Sequence, residues 1–473
     1  MNPTDTRDVV VVGGGPAGLA AVSALGHLDV VLLEERDHLG GRMHSVPRGE
    51  VWINLGAHLL TGGDSVIKRL VGESGLNVLP VPGIKTALWF DGRLQMHRRV
   101  EAFPLALPLT RRERWDLIRF GIELRLGVER WRRAVRPRRG ESAVDHKDRL
   151  RRYRSGRTFG DMMRGVSPRV AAIFETAARR SAGEADRLTE SGALALFGAL
   201  WVSGGSASVV NVAGGSGRFG EAWARKLGGN AITGATVTSV VEGDGHVEVT
   251  YRDRANESRT LRARHVIVAV PASQVRDVVV DLPEDVRREL DAVAYGSFVC
   301  VGVMTKSLPR TPWDDVYAIA TPQAEFDMLF HHTNPVMKSV GTHAPRSLMC
   351  YAGGDKAAEL LALDDGEIRR RFLAQIADVL PQTGGAIAEA LVMKWPVGNC
   401  YPVRGTSLTR TERWNRRPDV RVVLAGDYFA PLGGTLDAAA RSGLESAGML
   451  NNAADRPVSS GHPIGTARTD LAS

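Results

Sequence analysis

The sequence predicts an α/β fold, and three apolar runs at separated places in the chain support this prediction. Residues 9–12 are four consecutive valines, as expected for a strand buried on both faces of a parallel sheet. Residues 30–33 and 422–424 have the same character. Because glycines follow the first run and an acid follows the second, the pattern predicts a doubly wound, Rossmann-like domain.

The first strand leads into a glycine-rich turn that is typical of phosphate binding. Gly13 permits a tight turn, Gly15 lets the backbone approach a pyrophosphate, and Gly18 lets the next helix pack on the strand. Pro16 and Ala17 begin that helix, whose free N–H groups and positive dipole end favour phosphate oxygens. Strand, glycines and helix in this order predict a bound dinucleotide rather than an ordinary turn.

The second strand ends at an acidic pair, Glu34 and Glu35, roughly 20 residues after the first glycine. A carboxylate there accepts hydrogen bonds from both ribose hydroxyls. It also repels a 2′-phosphate, so the pattern disfavours NADP at this position.

Motifs farther along the chain extend the pattern. They are Gly40-Gly41-Arg42, Asn54-Leu55-Gly56-Ala57-His58, the strand around Val237, the run ending at Val270-Pro271, Ala425-Gly426-Asp427 and the helix that begins at Leu436. Their combination resembles the superfamily of FAD-dependent amine oxidases, protoporphyrinogen oxidases and carotenoid desaturases. The resemblance implies FAD as cofactor and an architecture like that of amine oxidases and glutathione reductase, with a Rossmann-like FAD domain built from discontinuous segments and an α+β substrate domain.

The resemblance also assigns these motif residues to parts of the cofactor. By this analogy, Gly41 and Arg42 help to hold the phosphates, Gly56 and Ala57 approach the flavin, Val237 contacts adenine, Gly426 and Asp427 lie by the pyrophosphate and ribityl chain, and Leu436 opens a helix aimed at the pyrimidine edge.

The two predicted domains alternate along the chain. The FAD domain is assigned to 1–85, 207–285 and 410–455, the substrate domain to 86–206, largely helical, and 286–409, with a mixed sheet, and 456–473 to a disordered tail.

Simple amine oxidation is disfavoured by two positions. In the amine oxidases a lysine on a substrate-domain strand lies against the flavin, and the matching position here is Cys300, with Lys306 too far along the strand to replace it. Of the two aromatic residues that flank the amine in that family, Tyr401 matches the first, but Thr435 stands at the second.

These differences favour the carbon–carbon dehydrogenating branch of the superfamily. The predicted function is therefore an FAD-dependent oxidoreductase that removes a hydride equivalent from a carbon of a small, lipophilic organic substrate, in specialised metabolism, with dioxygen as final acceptor. Residues expected near the reacting atoms are His58, Trp395, Tyr401 and Thr435. Three alternatives stay open: an amine or amino-acid oxidase, a non-redox flavin-dependent mutase, and a dinucleotide-binding scaffold without catalysis.

Composition is that of a globular protein of two or three domains, with 473 residues, 43% hydrophobic and 24% charged. The sequence shows neither a membrane-spanning run nor a secretory signal, so a cytoplasmic protein is predicted. The three widely spaced cysteines form no pair motif. The adjacent His331 and His332 would point to opposite faces of a strand, so no metal site is predicted.

Positive charge is concentrated in residues 111–157, which hold 16 arginines and one lysine against seven acids. The main interpretation is the solvated face of a surface helix. The alternative is weak contact with an anionic membrane surface or an acidic partner. Nucleic-acid binding is not predicted, because no recognised reading module accompanies the charge. Residues 132–156, rich in arginine and containing proline and glycine, are predicted to form a loop or linker.

Overall fold

The computed structural model describes residues 6–60, 63–83, 86–97, 100–200 and 209–454. The predicted disordered tail, 456–473, lies outside these residues.

The described chain contains strands that fall into two large sheets and two small ribbons. The strands are β1 (Arg7–Val12), β2 (Val30–Glu34), β3 (Ser45–Arg48), β4 (Val51–Asn54), β5 (Val78–Pro80), β6 (Ala87–Phe90), β7 (Arg93–Gln95), β8 (Val210–Val212), β9 (Ala231–Thr233), β10 (Thr236–Glu242), β11 (Val247–Arg252), β12 (Ser258–Val268), β13 (Tyr295–Ser307), β14 (Ala318–Ala320), β15 (Met328–His331), β16 (Pro345–Gly353), β17 (Ile387–Cys400) and β18 (Val422–Leu424).

Helices pack on both faces of each of the two large sheets. They are α1 (Pro16–Ala24), α2 (Val66–Glu73), α3 (Phe103–Ala106), α4 (Arg111–Ala134), α5 (Ala143–Arg152), α6 (Phe159–Met162), α7 (Pro168–Ala178), α8 (Glu190–Leu200), α9 (Gly217–Leu227), α10 (Ala272–Val278), α11 (Glu284–Asp291), α12 (Met337–Val340), α13 (Gly354–Leu361), α14 (Asp365–Val379), α15 (Thr409–Asn415) and α16 (Leu436–Ala454).

The first sheet has the order β10-β11-β12-β1-β2-β9, with β18 also paired to β12. Its centre is parallel, since β1 runs alongside both β2 and β12, and β18 runs parallel to β12. The valines of β1 are completely buried or nearly so, which explains their unbroken apolar run. The carboxyl ends of β1, β2, β12 and β18 therefore meet at one edge of the sheet, where ligands of such folds bind.

The second sheet has the order β17-β13-β16-β15-β14-β6-β7 and is mainly antiparallel. Strand β13 contains Cys300 and pairs with β16 on one side and β17 on the other. One face packs on α13 and α14 in an apolar core. The two sheets, with helices around them, give the predicted α/β architecture.

The prediction of a loop or linker for residues 132–156 was wrong for most of the segment. Helix α4 continues to Ala134, and Ala143–Arg152 forms α5. Ser142 caps α5 by accepting a hydrogen bond from the Asp145 N–H at 3.1 Å. Arginine is also a good helix former, so the charge that suggested a loop is compatible with a capped surface helix.

Candidate functional site

The glycine turn after β1 has the backbone geometry that its sequence predicts. Gly13 adopts φ +103°, and its N–H donates to the Leu33 carbonyl at 2.8 Å. A Cβ on Gly18 would lie 1.9 Å from the Gly13 carbonyl oxygen, so only glycine fits there. A Cβ on Gly15, in contrast, would meet only the Gly41 Cα, at 3.9 Å. The turn thus leaves open space in front of Gly15, where α1 begins at Pro16 with free N–H groups.

Glu34 lies at the end of β2 and is 6% exposed. Its carboxylate accepts hydrogen bonds from the Gly14 N–H at 2.6 Å and from the Arg36 N–H at 3.0 Å. Burial raises the pKa of Glu34, and the two backbone hydrogen bonds oppose that rise. These bonds fix the carboxylate beside the glycine turn, while Glu35 is exposed. Val237 lies half-buried on β10, which starts beside β2 because the Ala235 N–H donates to the Glu34 carbonyl.

An ion pair joins the two sequence motifs that lie farthest apart. The Arg42 Nη2 donates to the Asp427 Oδ2 at 2.8 Å, and the Arg42 Nη1 donates to the Gly398 carbonyl at 2.7 Å. Asp427 is 4% exposed, and the Arg42 side chain 28%. Burial is the largest influence on the pKa of Arg42 and lowers it, but Asp427, Tyr295 and Cys400 together raise it by more, so the net direction is upward. The Arg42 guanidinium therefore stays charged, and the ion pair connects the first sheet's edge to the end of β17.

The segment around Gly56 is held against this pair. A Cβ on Gly56 would lie 2.2 Å from the Arg42 carbonyl oxygen and 3.2 Å from the Trp395 ring. The Ala57 N–H donates to the same Arg42 carbonyl at 2.9 Å, and the Trp395 Nε1 donates to the Leu55 carbonyl at 2.7 Å. Backbone thus approaches closely at the place where the family resemblance puts the flavin.

The C-terminal helix closes the same edge. A Cβ on Gly443, in α16, would lie 2.0 Å from the Ala17 carbonyl, so α1 and α16 are in close contact. The Gly426 N–H donates to the Ser442 hydroxyl at 3.0 Å. Thr435 is exposed and caps α16, its hydroxyl accepting from the Ala438 N–H at 3.0 Å, immediately before Leu436. In the described chain Thr435 therefore has a helix-capping contact.

Beyond Trp395 lies a buried group of rings, which we call the aromatic cluster. Its members are His58, Phe298, Tyr317, Phe330, His332, Tyr351 and Trp395. His58 makes edge contacts with Phe330 at 4.7 Å and with His332 at 4.5 Å between ring centroids. His58 and Trp395, two of the predicted site residues, are thus brought together through residues 55–58.

The other two predicted site residues, Thr435 at the start of α16 and Tyr401, lie outside the aromatic cluster. Tyr401 belongs to the core of the helical layer with Phe159 and Leu188, and its ring lies against Gly183. Cys300 sits in the aromatic cluster, 3% exposed and opposite Tyr351 and Met393 in the sheet. Burial raises the pKa of the Cys300 thiol, so it stays protonated and uncharged at neutral pH. Lys306 is exposed near the far end of β13.

The adjacent histidines face different neighbours, as the strand geometry predicts. His331 packs edge-on to Trp313 at 5.0 Å, whereas His332 lies 2.9 Å from the Asn54 amide nitrogen. In the ranges described above, no three metal-binding side chains are grouped as ligands.

Sequence reasoning missed several residues of this site. One is Gly398, whose carbonyl accepts a hydrogen bond from Arg42 of the ion pair. Another is Tyr295, whose hydroxyl accepts a hydrogen bond from the Ala272 N–H, just after β12, at 2.9 Å. Tyr317 lies just before β14, Phe330 on β15 and Tyr351 on β16, and only the tertiary fold assembles them. The one local sequence signal that could have extended the site was Gly433-Gly434. A Cβ on Gly434 would lie 2.7 Å from the Asp427 carboxylate, so the close approach there needs glycine.

The buried histidine His58 predicts a pH dependence of stability. Burial lowers the pKa of His58 to about 4, an effect that its hydrogen bond to the Gly56 carbonyl opposes and the Arg180 charge adds to. Between pH 6.5 and 4 the unfolded chain therefore binds a proton at this residue that the folded chain does not, so stability falls as pH falls. From pH 7 to pH 5 the loss expected from His58 alone is about 2 kcal/mol. The buried His331 and His332, whose pKa values are lowered as well, add to the loss of the whole protein. Urea unfolding at the two pH values measures it.

The His58→Gln variant should lose about 2 kcal/mol less between the two pH values than the wild type. Replacing the exposed His27 with glutamine provides the control and should leave the pH dependence unchanged. A wild-type pH dependence in His58→Gln would contradict the assignment of a buried neutral imidazole.

Comparison with known proteins identifies the family. The family model for flavin-containing amine oxidoreductases matches residues 16–451, so the chain belongs to that family. Amine oxidase [flavin-containing] B from Homo sapiens is 36% identical over 104 residues, which are 21% of this chain and 19% of that protein. Ferredoxin–NADP reductase 1 from Bacillus cereus is 39% identical over 82 residues, 17% of this chain and 23% of that reductase. The alignments thus span about a fifth of these relatives' lengths.

Two solved structures have the same fold over nearly their whole length. Putrescine oxidase bound to putrescine gives a TM-score of 0.70 at 18% identity, covering 95% of this chain and 100% of that one. Cyclohexylamine oxidase from Brevibacterium oxydans gives 0.74 at 18% identity, covering 96% and 100%.

Family membership confirms the predicted superfamily, the fold class, FAD as cofactor and the class of FAD-dependent oxidoreductase. The residues present fit this group, because the space before Gly15, the fixed Glu34 carboxylate and the Arg42–Asp427 pair lie along one sheet edge.

Proposed function

We propose that this protein removes a hydride equivalent from a carbon of a lipophilic organic substrate that binds at the aromatic cluster. The observation that supports this most directly is the contact between Trp395 and the Gly56 segment, which joins the cluster to the proposed cofactor edge. FAD bound there supplies the two-electron chemistry, with dioxygen as the proposed final acceptor. The substrate domain's role is to place the substrate carbon and keep out water.

For the cofactor, the proposed binding residues are those that the sequence analysis assigned. They are Gly13, Gly15, Pro16, Ala17, Gly18, Glu34, Glu35, Gly41, Arg42, Gly56, Ala57, Val237, Gly426, Asp427 and Leu436. For the substrate, the proposal rests on His58 and Trp395, with Tyr401 and Thr435 kept as weaker candidates because each makes a structural contact.

The cluster's chemistry supports an uncharged reacting carbon. His58 has its pKa lowered to about 4 by burial, so the imidazole is neutral at pH 7. Where amine oxidases carry a lysine, this chain has the protonated thiol of Cys300. The other side chains packed in this core are rings and apolar side chains such as Val81 and Met328.

The alternative, an amine or amino-acid oxidase, is favoured by the family's name and by the two amine oxidase folds. Anaerobic addition of amines, amino acids, a porphyrinogen and polyenes to the holoenzyme separates the two. Bleaching of the flavin absorption by a porphyrinogen or polyene alone supports our proposal. Bleaching by amines, with peroxide and ammonia formed in air, supports the alternative. If the holoenzyme catalysed an isomerisation, and did so only with added reductant, this result would indicate the mutase.

We also propose that the FAD domain consists of 1–85, 207–285 and 410–455 and the substrate domain of 86–206 and 286–409. The division is supported by the strand membership of the two large sheets. A cytoplasmic location is proposed on the ground that all three cysteines are buried and free. No helix in the described ranges is both long enough and apolar enough to cross a membrane.

We further propose that α4 rests weakly on an anionic membrane surface. Thr110 and Glu113 form a capping box that starts the helix. Trp115, Ile122 and Leu126 lie on one face and are 63%, 56% and 51% exposed. At 100° per residue, arginines such as Arg112, Arg119 and Arg130 flank one side of this stripe, and Arg125 the other. An exposed apolar stripe between arginines is typical of helices that lie in a lipid interface.

Co-sedimentation with phosphatidylglycerol vesicles tests the membrane proposal. The wild type should pellet with these vesicles, and a Trp115→Ser/Ile122→Ser double variant should lose most of this binding, because each buried apolar side chain contributes about 1.5–3 kcal/mol. The control replaces Val280, which is 53% exposed at another place, with serine. A wild type that stays in the supernatant, or a double variant that pellets equally well, would refute the proposal.

A further inference from the structure

A short turn positions a charged residue at the end of the second sheet. Residues 179–181 form a 3-10 turn after α7, and Ala182 ends it in the left-handed conformation, at φ +61°. A Cβ on Gly353 would lie 2.6 Å from the Arg179 carbonyl, and a Cβ on Gly296 would lie 1.8 Å from the Ala182 carbonyl. The turn is thus in close contact with the end of β16 and the start of β13.

Further contacts fix the turn. The Asn399 side chain donates to the Ser181 carbonyl at 3.2 Å. Gly183 lies against the Tyr401 ring, where a Cβ would come within 2.8 Å of it. The turn therefore lies between the aromatic cluster's strands and the chain that leads from Trp395 to Tyr401.

The first arginine of the turn is neutralised by its neighbours. Arg179 Nε donates to both Glu184 oxygens at 3.1 Å, and its Nη1 lies 3.6 Å from an Asp327 oxygen. Lys356 also pairs with Asp327, at 3.2 Å. The negative charges of Glu184 and Asp327 are thus balanced by the positive charges of Arg179 and Lys356.

Arg180 is different. It is half-buried, and no carboxylate in the described part of the chain pairs with it. Its charge reaches the aromatic cluster: burial raises the pKa of Tyr317 and Tyr351, and Arg180 opposes that rise at both. It also helps to lower the pKa of His58. A partly exposed guanidinium that no described carboxylate engages is available to bind an anionic group of a ligand.

We propose that Arg180 binds a carboxylate of the substrate at the edge of the aromatic cluster. The inference rests on the proposed function and adds to it a substrate class: a molecule with a lipophilic or aromatic body and an acidic group. Guanidinium is suited to this role, because it stays charged and donates two parallel hydrogen bonds to a carboxylate. The carboxylate would orient the substrate, while the rings hold its body.

Ligand binding by the holoenzyme tests the proposal without turnover. Benzoate and its neutral analogue benzamide are titrated separately, and the shift in flavin absorption and the rise in melting temperature are recorded. We expect benzoate to bind the wild type at least about tenfold more tightly than benzamide, since hydrogen bonds to charged groups are the stronger ones. In Arg180→Met, benzoate binding should weaken about tenfold and benzamide binding stay within about twofold.

Two further variants control for charge and folding. Arg180→Lys keeps the charge without the planar fork and should bind benzoate with intermediate affinity. Arg187→Met removes a neighbouring arginine that pairs with Asp355 and is 49% exposed, and both ligands should bind it as they bind the wild type.

Equal affinity of the wild type for the two ligands, or equal loss of benzoate binding in Arg180→Met and Arg187→Met, would overturn the inference. Loss of flavin from Arg180→Met would overturn it as well and assign Arg180 to the cofactor. Failure of the proposed function looks different, because it would appear as wild-type holoenzyme that amines bleach or that no substrate bleaches.

Discussion

The Asp427→Ala variant is expected to purify with little flavin and to unfold at a much lower urea concentration than the wild type. Asp427 is 4% exposed and pairs with Arg42 at 2.8 Å. Removing one partner of a buried pair leaves the other charge uncompensated, at a cost of about 3–5 kcal/mol. Because the Arg42 side chain is 28% exposed, the lower end of that range is expected. The ratio of flavin to protein absorbance and the urea midpoint measure the two effects.

The matched control for this variant is Asp437→Ala, which removes another aspartate–arginine pair from the same end of the chain. Asp437 pairs with Arg441 at 2.6 Å, but Arg441 is 54% exposed, so loss of the pair should cost about 0–1 kcal/mol. Asp437 also accepts a hydrogen bond from the Ile67 N–H at 3.3 Å, and its loss should add about 1 kcal/mol. Asp427→Asn keeps an acceptor for Arg42 and should lie between the wild type and Asp427→Ala. If Asp427→Ala matched Asp437→Ala in both flavin content and midpoint, the central role of the Arg42–Asp427 pair would be wrong.

The second large effect is expected at the glycine turn. In Gly18→Ala the new Cβ would lie 1.9 Å from the Gly13 carbonyl, which cannot move freely because the Gly13 N–H is bonded to Leu33. A loss of about 3 kcal/mol, at the upper end of overpacking costs, is expected together with loss of flavin. Denaturant unfolding and flavin content again report the result.

Substitutions at two other glycines distinguish an effect on folding stability from an effect on cofactor binding. Gly72→Ala, in α2, has nothing within 4 Å of the new Cβ and should gain up to about 1 kcal/mol from helix propensity. Gly15→Ala meets only one atom, at 3.9 Å, so the variant should fold normally. It should nevertheless purify with less flavin, because the methyl group enters the space proposed for the pyrophosphate. A stable Gly18→Ala with full flavin content would refute the prediction.

The parts of this site that could be predicted from sequence are those whose physics is local. A buried parallel strand, a turn that needs glycine and an acid at the end of the next strand leave their marks within about 25 residues. Gly13, Gly18 and Glu34 accordingly lie where the sequence places them. The Arg42 and Asp427 motifs were found by resemblance, and their direct ion pair spans 385 residues.

The remaining parts depend on tertiary packing. Phe330 and Tyr351 belong to different strands, and nothing in their local sequence shows that they share a cluster with His58. Arg180 stands beside Arg179 with the same local signal, yet only the fold shows that Arg179 is paired and that, among the described residues, no carboxylate pairs with Arg180. Helix α5 was missed because a cap at Ser142 outweighs the proline and glycine just before it.

The visible absorption spectrum of the purified wild-type protein, recorded before and after addition of FAD and removal of the excess, tests the account most directly. We predict an oxidised flavin band that is present on purification or regained with FAD, since Gly15, Glu34 and the Arg42–Asp427 pair line one sheet edge. A correctly folded protein that shows no flavin band and regains none would contradict the assignment of this edge to a flavin and, with it, the proposed reaction.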